Sequence, residues 1–129
     1  MEISDEMVSD LRDFIVELNL AHESTVVVEG KRDSIALKSL GYTIEVLEFH
    51  NFGGITKFAD SVSEHKNLII LFDFDRKGKY LTRRVIDQLQ RRTRIDLSYK
   101  KKLAQITSGR IRTIEELRQY ESFVDWHVL

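Results

Sequence analysis

The stretch Asn67–Phe72, NLIILF, carries no charge and runs through five consecutive large apolar residues. A β-strand points successive side chains to opposite faces, so a run without alternation has to be covered on both sides. That is the condition of a strand inside a parallel sheet with helices on each face. A one-faced sheet, whose strands alternate apolar and polar residues, does not accommodate it.

The flanking sequence supplies the rest of such a sheet. TVVV (25–28) reads as a second buried strand and TIEVLEF (43–49) as a third. Between them, EGKRD is a tight turn and RDSIALKSLG a helix closed by Gly41. HNFGG ends the strand, ITKFADSVSEH makes a short helix, and Lys79 to about Arg92 forms a longer one with Leu81, Val85, Ile86 and Leu89 inward. Val8, Leu11, Ile15 and Leu18 mark an N-terminal helix over 4–20, with Ser4 as its N-cap. Strand and helix in alternation predict an α/β fold with a central parallel sheet flanked by helices. After Arg94 the pattern is looser. Tyr99, Leu103 and Ile106 suit a helix, while LAQIT also reads as an edge strand. TIEELRQYESFVDW is a final helix, opened by a capping box between Thr113 and Glu116, with Phe123 and Trp126 as anchors or a partner contact. The length of 129 residues suits one domain, residues 1–129.

Without cysteine there is no disulfide framework, thiolate metal site or cysteine nucleophile. The opening MEISDEMVSDLRD is acidic and amphipathic, unlike a secretion signal, and no run of ~18 apolar residues suits a membrane span. The expected setting is cytoplasmic, with no membrane partner. A net charge of −1 conceals an asymmetry: residues 76–112 hold thirteen Lys and Arg against Asp87 and Asp96. Such a block is either a solvated helix face or a surface for a polyanion.

In parallel α/β sheets ligands bind beyond the carboxyl ends of the strands. Here those ends carry Glu29, after TVVV, and Asp73 with Asp75, after LIILF. Residues at i and i+2 of an extended segment point the same way, so Asp73 and Asp75 converge while Phe74 turns into apolar packing. Carboxylates without cysteine or a well-placed histidine favour a hard cation, Mg²⁺ or Mn²⁺, over zinc. An unneutralised trio repels, so one acid stays protonated and can serve as a general acid. The competing role for such acids is helix capping, by Asp33 for its own helix and by Asp75 for the helix near Lys77. Gly30 permits close backbone approach, and Gly78 offers an N–H at a helix start. Lys31, Lys77, Lys79 and Arg83 are the cations nearest the acids in sequence and are candidate phosphate contacts. Of His22, His50, His65 and His127, His50 adjoins the Gly53–Gly54 turn near the ligand edge. Tyr42, Tyr80, Tyr99 and Tyr120 read as core or surface-edge aromatics.

E-G-K-x-D at Glu29–Asp33, the glycine turn Gly53–Gly54, and D-x-D-x-x-G at Asp73–Gly78 together resemble the Toprim domain. The match covers about residues 24–93. EGKRDSIALKSLG is most similar to the small maturases that trim 5S ribosomal RNA. The resemblance implies a Rossmann-like fold with a parallel sheet of about four strands, a metal site for Mg²⁺ and a glutamate that moves protons. Glu29 then takes the proton-transfer role within the Glu29, Asp73 and Asp75 set, the two aspartates hold the metal, and Gly30, Asp33 and Gly78 support the motif. Phe74 departs from the small residue or proline usual at its position. The resemblance implies a Mg²⁺-dependent nuclease on structured RNA, with RNA favoured over DNA as partner and a protein or ribosomal partner possible. Primase-like nucleotidyl transfer and a non-catalytic nucleic-acid or ribosome adaptor are the alternatives. Topoisomerase activity lacks a suitable tyrosine context. A Walker-type NTPase lacks G-x-x-x-x-G-K-[ST]. A haloacid-dehalogenase phosphatase carries its D-x-D on an early strand, followed by small residues and threonine rather than Arg76-Lys77-Gly78.

Overall fold

The computed structural model describes residues 3–124. Four parallel strands, β1 (Ser24–Val28), β2 (Val46–Glu48), β3 (Asn67–Ile70) and β4 (Arg94–Asp96), form one sheet in the order β2-β1-β3-β4. The helices are α1 (Asp5–Asn19), α2 (Lys31–Ser39), α3 (Ile55–Val62), α4 (Arg76–Leu89) and α5 (Ser98–Ile106). Short 3-10 helices cover Phe49–Phe52 and Ile114–Tyr120. The α/β parallel sheet expected from the strand–helix alternation, and the Rossmann-like form with about four strands that the resemblance implies, are the arrangement observed.

The non-alternating strands are covered on both sides. Val26, Val28, Ile69 and Leu71 join a core with α1, α2, α5 and the second 3-10 helix. Val27, Leu68, Ile70 and Phe72 face the opposite core, with α3, α4 and Phe49. Odd and even residues of the same strand thus serve two cores, which accounts for the missing polar positions. Helix α1 starts where expected, with Ser4 Oγ accepting from the Met7 N–H at 3.1 Å. Gly41, at φ 107°, ends the α2 region in a conformation that favours glycine.

Four expectations change. The strand read over 43–49 is only Val46–Glu48, because the Asn19 side chain takes the Thr43 N–H at 3.0 Å and draws that residue off the ladder. The edge strand beside β3 is Arg94–Asp96 and not LAQIT, of which residues 103–106 lie in α5 and Thr107 caps it. Helix α4 begins at Arg76, three residues before Lys79, because Asp75 caps it. The segment after Thr113 is a 3-10 helix from Ile114 to Tyr120. Trp126 and His127 lie outside the described residues.

That last segment is part of the core. Ile111, Ile114, Leu117, Tyr120 and Val124 are all buried in the α1/α2/α5 layer. Leu117→Ala should therefore cost about 2–4 kcal/mol in a urea-unfolding midpoint with unchanged slope. A change below about 0.5 kcal/mol would mean that the segment is not packed as described.

Candidate acid and metal site

The strand order makes the gap between β1 and β3 a topological switch point, since β1 leads away to β2 and the chain returns on the other side. Register then sets the acids beside each other. Val27 pairs with Ile70, and the Leu71 N–H donates to the Val27 carbonyl at 2.9 Å. The next inward N–H, that of Asp73, donates to Glu29 Oε2 at 2.7 Å instead of to a backbone carbonyl. The Glu29 carbonyl accepts from the His50 N–H at 2.9 Å. Glu29, 5% exposed, and Asp73 thus sit side by side, close enough for each carboxyl to act on the other's proton.

The other acids are anchored by backbone donors. Asp75 caps α4, accepting from the Gly78 N–H at 2.8 Å. Asp73 Oδ1 accepts from the Ile114 N–H at 2.8 Å. Asp33 is not an N-cap as expected; it stands in the first turn of α2, reaching back to the Gly30 N–H at 3.1 Å and accepting from the Glu115 backbone. The first two N–H groups of the 114–120 helix therefore point at two acids of the site, the arrangement that helix starts offer to negative charge. Gly78 also corrects an expectation. Its N–H is consumed by Asp75, and a Cβ there would lie 2.0 Å from the Asp73 carbonyl oxygen. Glycine at this position lets α4 start hard against the Asp73 backbone. At Gly30 a Cβ would meet the His50 ring at 3.3 Å, so that glycine leaves room for His50.

An open cleft of about 520 Å³ gathers Glu29, Asp33, Asp73, Asp75 and His50, with Lys31, Arg32 and Lys77 as its cations and Thr113 and Glu115 on the far wall. Of the cations expected at phosphates, Lys31 and Lys77 line this cleft, while Lys79 and Arg83 lie exposed along α4. The basic block is not one surface: Arg92 pairs with Asp60, Lys102 pairs with Glu17, and Lys100 turns inward.

Lys100 was hidden in the run Lys100–Lys102. Its Nζ donates to the Asp73 carbonyl at 3.1 Å and to Thr82 Oγ1 at 3.3 Å, and lies 5.4 Å from the Phe74 ring centre. The backbone donors of Ile114 and Glu115 were missed as well. The Thr113–Glu116 capping box announced a helix start, but a main-chain N–H carries no mark of the acid it will meet. The box itself is present, with the Thr113 N–H donating to Glu116 Oε2 at 2.7 Å.

Burial pushes the Glu29 carboxyl up to about 7, with the charges of Asp73, Asp33 and Asp75 adding to the shift and the Asp73 N–H opposing it. Burial likewise raises Asp33 to about 6, and raises Asp73. Burial lowers the Lys100 ammonium, against the pull of Glu29 and Asp73. The donor set suits a hard cation in kind. Among the described residues, however, no three Asp, Glu, His or Cys side chains are arranged to hold one ion together. A divalent cation here would rest on fewer carboxylates, with water or substrate oxygens completing its shell.

Comparison with known proteins agrees with this geometry. Residues 24–115 match the Toprim domain, a longer match than the 24–93 read from the motifs, and it takes in Ile114 and Glu115. A UPF0292 protein of Pyrococcus furiosus is 34% identical over 103 residues, covering 80% of this chain and 78% of that one. A UPF0292 protein of Methanocaldococcus jannaschii is 32% identical over 120 residues, covering 90% and 93%. A solved structure of a protein from Aquifex aeolicus superposes with a TM-score of 0.67 at 24% identity, covering 81% of this chain and 94% of that one, and bears on the fold alone.

The raised Glu29 predicts a pH dependence. An acid that binds its proton more tightly when folded stabilises below its unfolded value of 4.5 and loses that contribution as pH rises toward about 7. Glu29→Gln keeps an acceptor for the Asp73 N–H and gives Asp73 a donor. Thermal melts in chelator should find Glu29→Gln equal to wild type near pH 4.5 and about 1–3 kcal/mol more stable above pH 7. A difference that does not vary with pH would refute the assignment.

Proposed function

The chain belongs to the Toprim-domain family, with UPF0292 proteins among its relatives, and from that premise we propose that it cleaves phosphodiester bonds in structured RNA. Toprim domains serve metal-dependent functions on nucleic acids in general; the choice of cleavage, of RNA over DNA, and of Mg²⁺ or Mn²⁺ belongs to this proposal. The observation that carries it is the protonatable Glu29, held near neutrality beside Asp73 in a cleft rimmed by cations. An acid titrating near 7 can both give and take a proton at physiological pH, which is what a general acid–base catalyst requires.

In this reading Glu29 moves the proton at its carboxyl to the leaving oxygen or from the attacking one. Asp73 and Asp75 would hold the divalent ion, which when bound would neutralise charge on the transferring phosphate. Lys31 and Lys77 hold neighbouring phosphates, and Lys79 and Arg83 extend that grip along α4. Ile114 and Glu115 keep Asp73 and Asp33 oriented through their backbone N–H groups. Residues 1–129 act in this reading as one unit. One observation also suits a second reading, a non-catalytic nucleic-acid adaptor: the exposed cations of the cleft and of α4 could hold a phosphate chain without turnover.

Incubating the protein with labelled cellular RNA, and with single- and double-stranded DNA, in Mg²⁺, Mn²⁺ or chelator distinguishes the two. Cleavage should require the metal and fall by at least ~100-fold in Glu29→Gln and Asp73→Asn. Cleavage unaffected by those substitutions sinks the site; tight, metal-independent binding without turnover selects the adaptor. Log affinity for a duplex should fall against log salt by about 0.9 per phosphate contact, and a flat response would remove nucleic acid from the account.

A further inference from the structure

The four tyrosines do not share one environment. Tyr42 and Tyr120 are buried, and Tyr99 lies edge-on to Phe14 with ring centres 6.0 Å apart. Tyr80, in the second turn of α4, is 61% exposed. The buried face of that helix consists of Gly78, Thr82, Val85 and Leu89. At about 100° per residue, Tyr80 falls opposite it, at the centre of the solvent face.

Its neighbours on the helix surface are the residues three and four positions away on either side. Those are Arg76 and Lys77 before it, and Arg83 and Arg84 after it. All four are cations and all four are exposed. Lys79, also exposed, stands three residues from Arg76 and four from Arg83, spacings at which like charges repel, and the first acid of this face is Asp87, seven positions beyond Tyr80. A large aromatic ring left to water inside a self-repelling ring of cations is poorly explained by stability of the isolated helix. It is well explained by an anionic ligand that also has a flat apolar face.

The position adds to the argument. Helix α4 is capped by Asp75, which lines the acid cleft together with Lys77. Five residues on, Tyr80 stands about 7–8 Å farther along the helix axis. A chain with one phosphate at the cleft and its backbone running along α4 brings its next nucleotides over this ring. Aromatic rings flanked by cations hold unpaired bases, the ring stacking on the base while the cations take phosphates on each side. A duplex keeps its base faces hidden.

We infer that Tyr80 is a stacking platform for an unpaired base, so that the nucleic acid bound at this site is single-stranded where it leaves the cleft along α4. The inference rests on the proposed function for placing a phosphate chain at the cleft, and it narrows the substrate to single strands or to single-stranded segments of folded molecules.

The test uses the full chain carrying Glu29→Gln, with Tyr80 intact or changed to Ala, Phe or Trp, and fluorescence anisotropy. The probes are labelled strands of about 15 nucleotides, RNA and DNA, and the corresponding blunt duplexes. Tyr80→Ala should weaken single-strand binding by about 5- to 150-fold, change duplex binding by less than about 2-fold, and leave the melting temperature unchanged. Tyr80→Phe and Tyr80→Trp should bind as the tyrosine does, and 2-aminopurine in the strand should be quenched only when a ring is present. Equal single-strand affinity with and without the ring overturns the inference. So does an equal loss on strand and duplex, or a Tyr80→Phe protein as weak as Tyr80→Ala. Cleavage of the same strands, measured with Glu29 restored, separates this from the preceding proposal. Ring-dependent binding without cleavage leaves the platform standing and removes the nuclease; cleavage with ring-independent binding does the reverse. Failure of every probe to bind removes both.

Discussion

The hydrogen bond from the Asp73 N–H to the Glu29 carboxylate is the contact on which the rest of the site depends. It stands where the β1–β3 ladder would otherwise continue, so the sheet ends by gripping an acid rather than a carbonyl. That choice ties the ends of two neighbouring strands through a side chain. It also keeps Glu29 out of water and beside a second carboxyl, which is why its proton is held so firmly. Helix α4 starts hard against the Asp73 backbone that makes this bond, and Gly78 is the residue that allows that approach.

What surrounds the acids is mostly main chain. Asp73 takes the Ile114 N–H, Asp75 that of Gly78, and Asp33 those of Gly30 and Glu115. Backbone donors orient a carboxylate without neutralising it, whereas a salt bridge would cancel its charge. The site thus keeps its appetite for positive charge while each acid is fixed in place. The cations of the cleft, Lys31, Arg32 and Lys77, come from the two helix starts and remain exposed, where a phosphate can reach them.

Much of this was legible in the residues, and the exceptions have physical causes. The buried strands and α1 to α4 follow from apolar runs and helical spacing, because burial on two faces leaves no polar position to misread. β4 escaped notice because RID is charged and three residues long; it is a strand only by pairing with Asn67–Ile69. The acids were found because a charge after a buried strand is expensive and therefore conspicuous. Lys100 escaped because a run of three lysines looks alike in sequence, and only the orientation of α5 turns one inward. The role of 110–116 was invisible for a different reason: its contribution is two N–H groups and the Arg112 carbonyl that accepts from the Phe74 N–H at 2.8 Å, groups that every residue but proline possesses.

Phe74, read from the motif resemblance as a departure from a small residue or proline, stands beside Lys100. The ring is partly buried against the α1/α2/α5 core, and the ammonium stands 5.4 Å from its centre. A small residue between the two aspartates would leave the half-buried lysine without that aromatic face, worth about 0.5–1 kcal/mol to a cation in a partly exposed position. Burial already lowers the ammonium's affinity for its proton. An aromatic neighbour favours the charged form, and so helps to keep a positive charge next to Asp73 even though the surroundings oppose it. Phe74 and Lys100 therefore belong together: a chain with the lysine gains from the ring, and a chain that lost the lysine would have no such reason to depart from a small residue at that position.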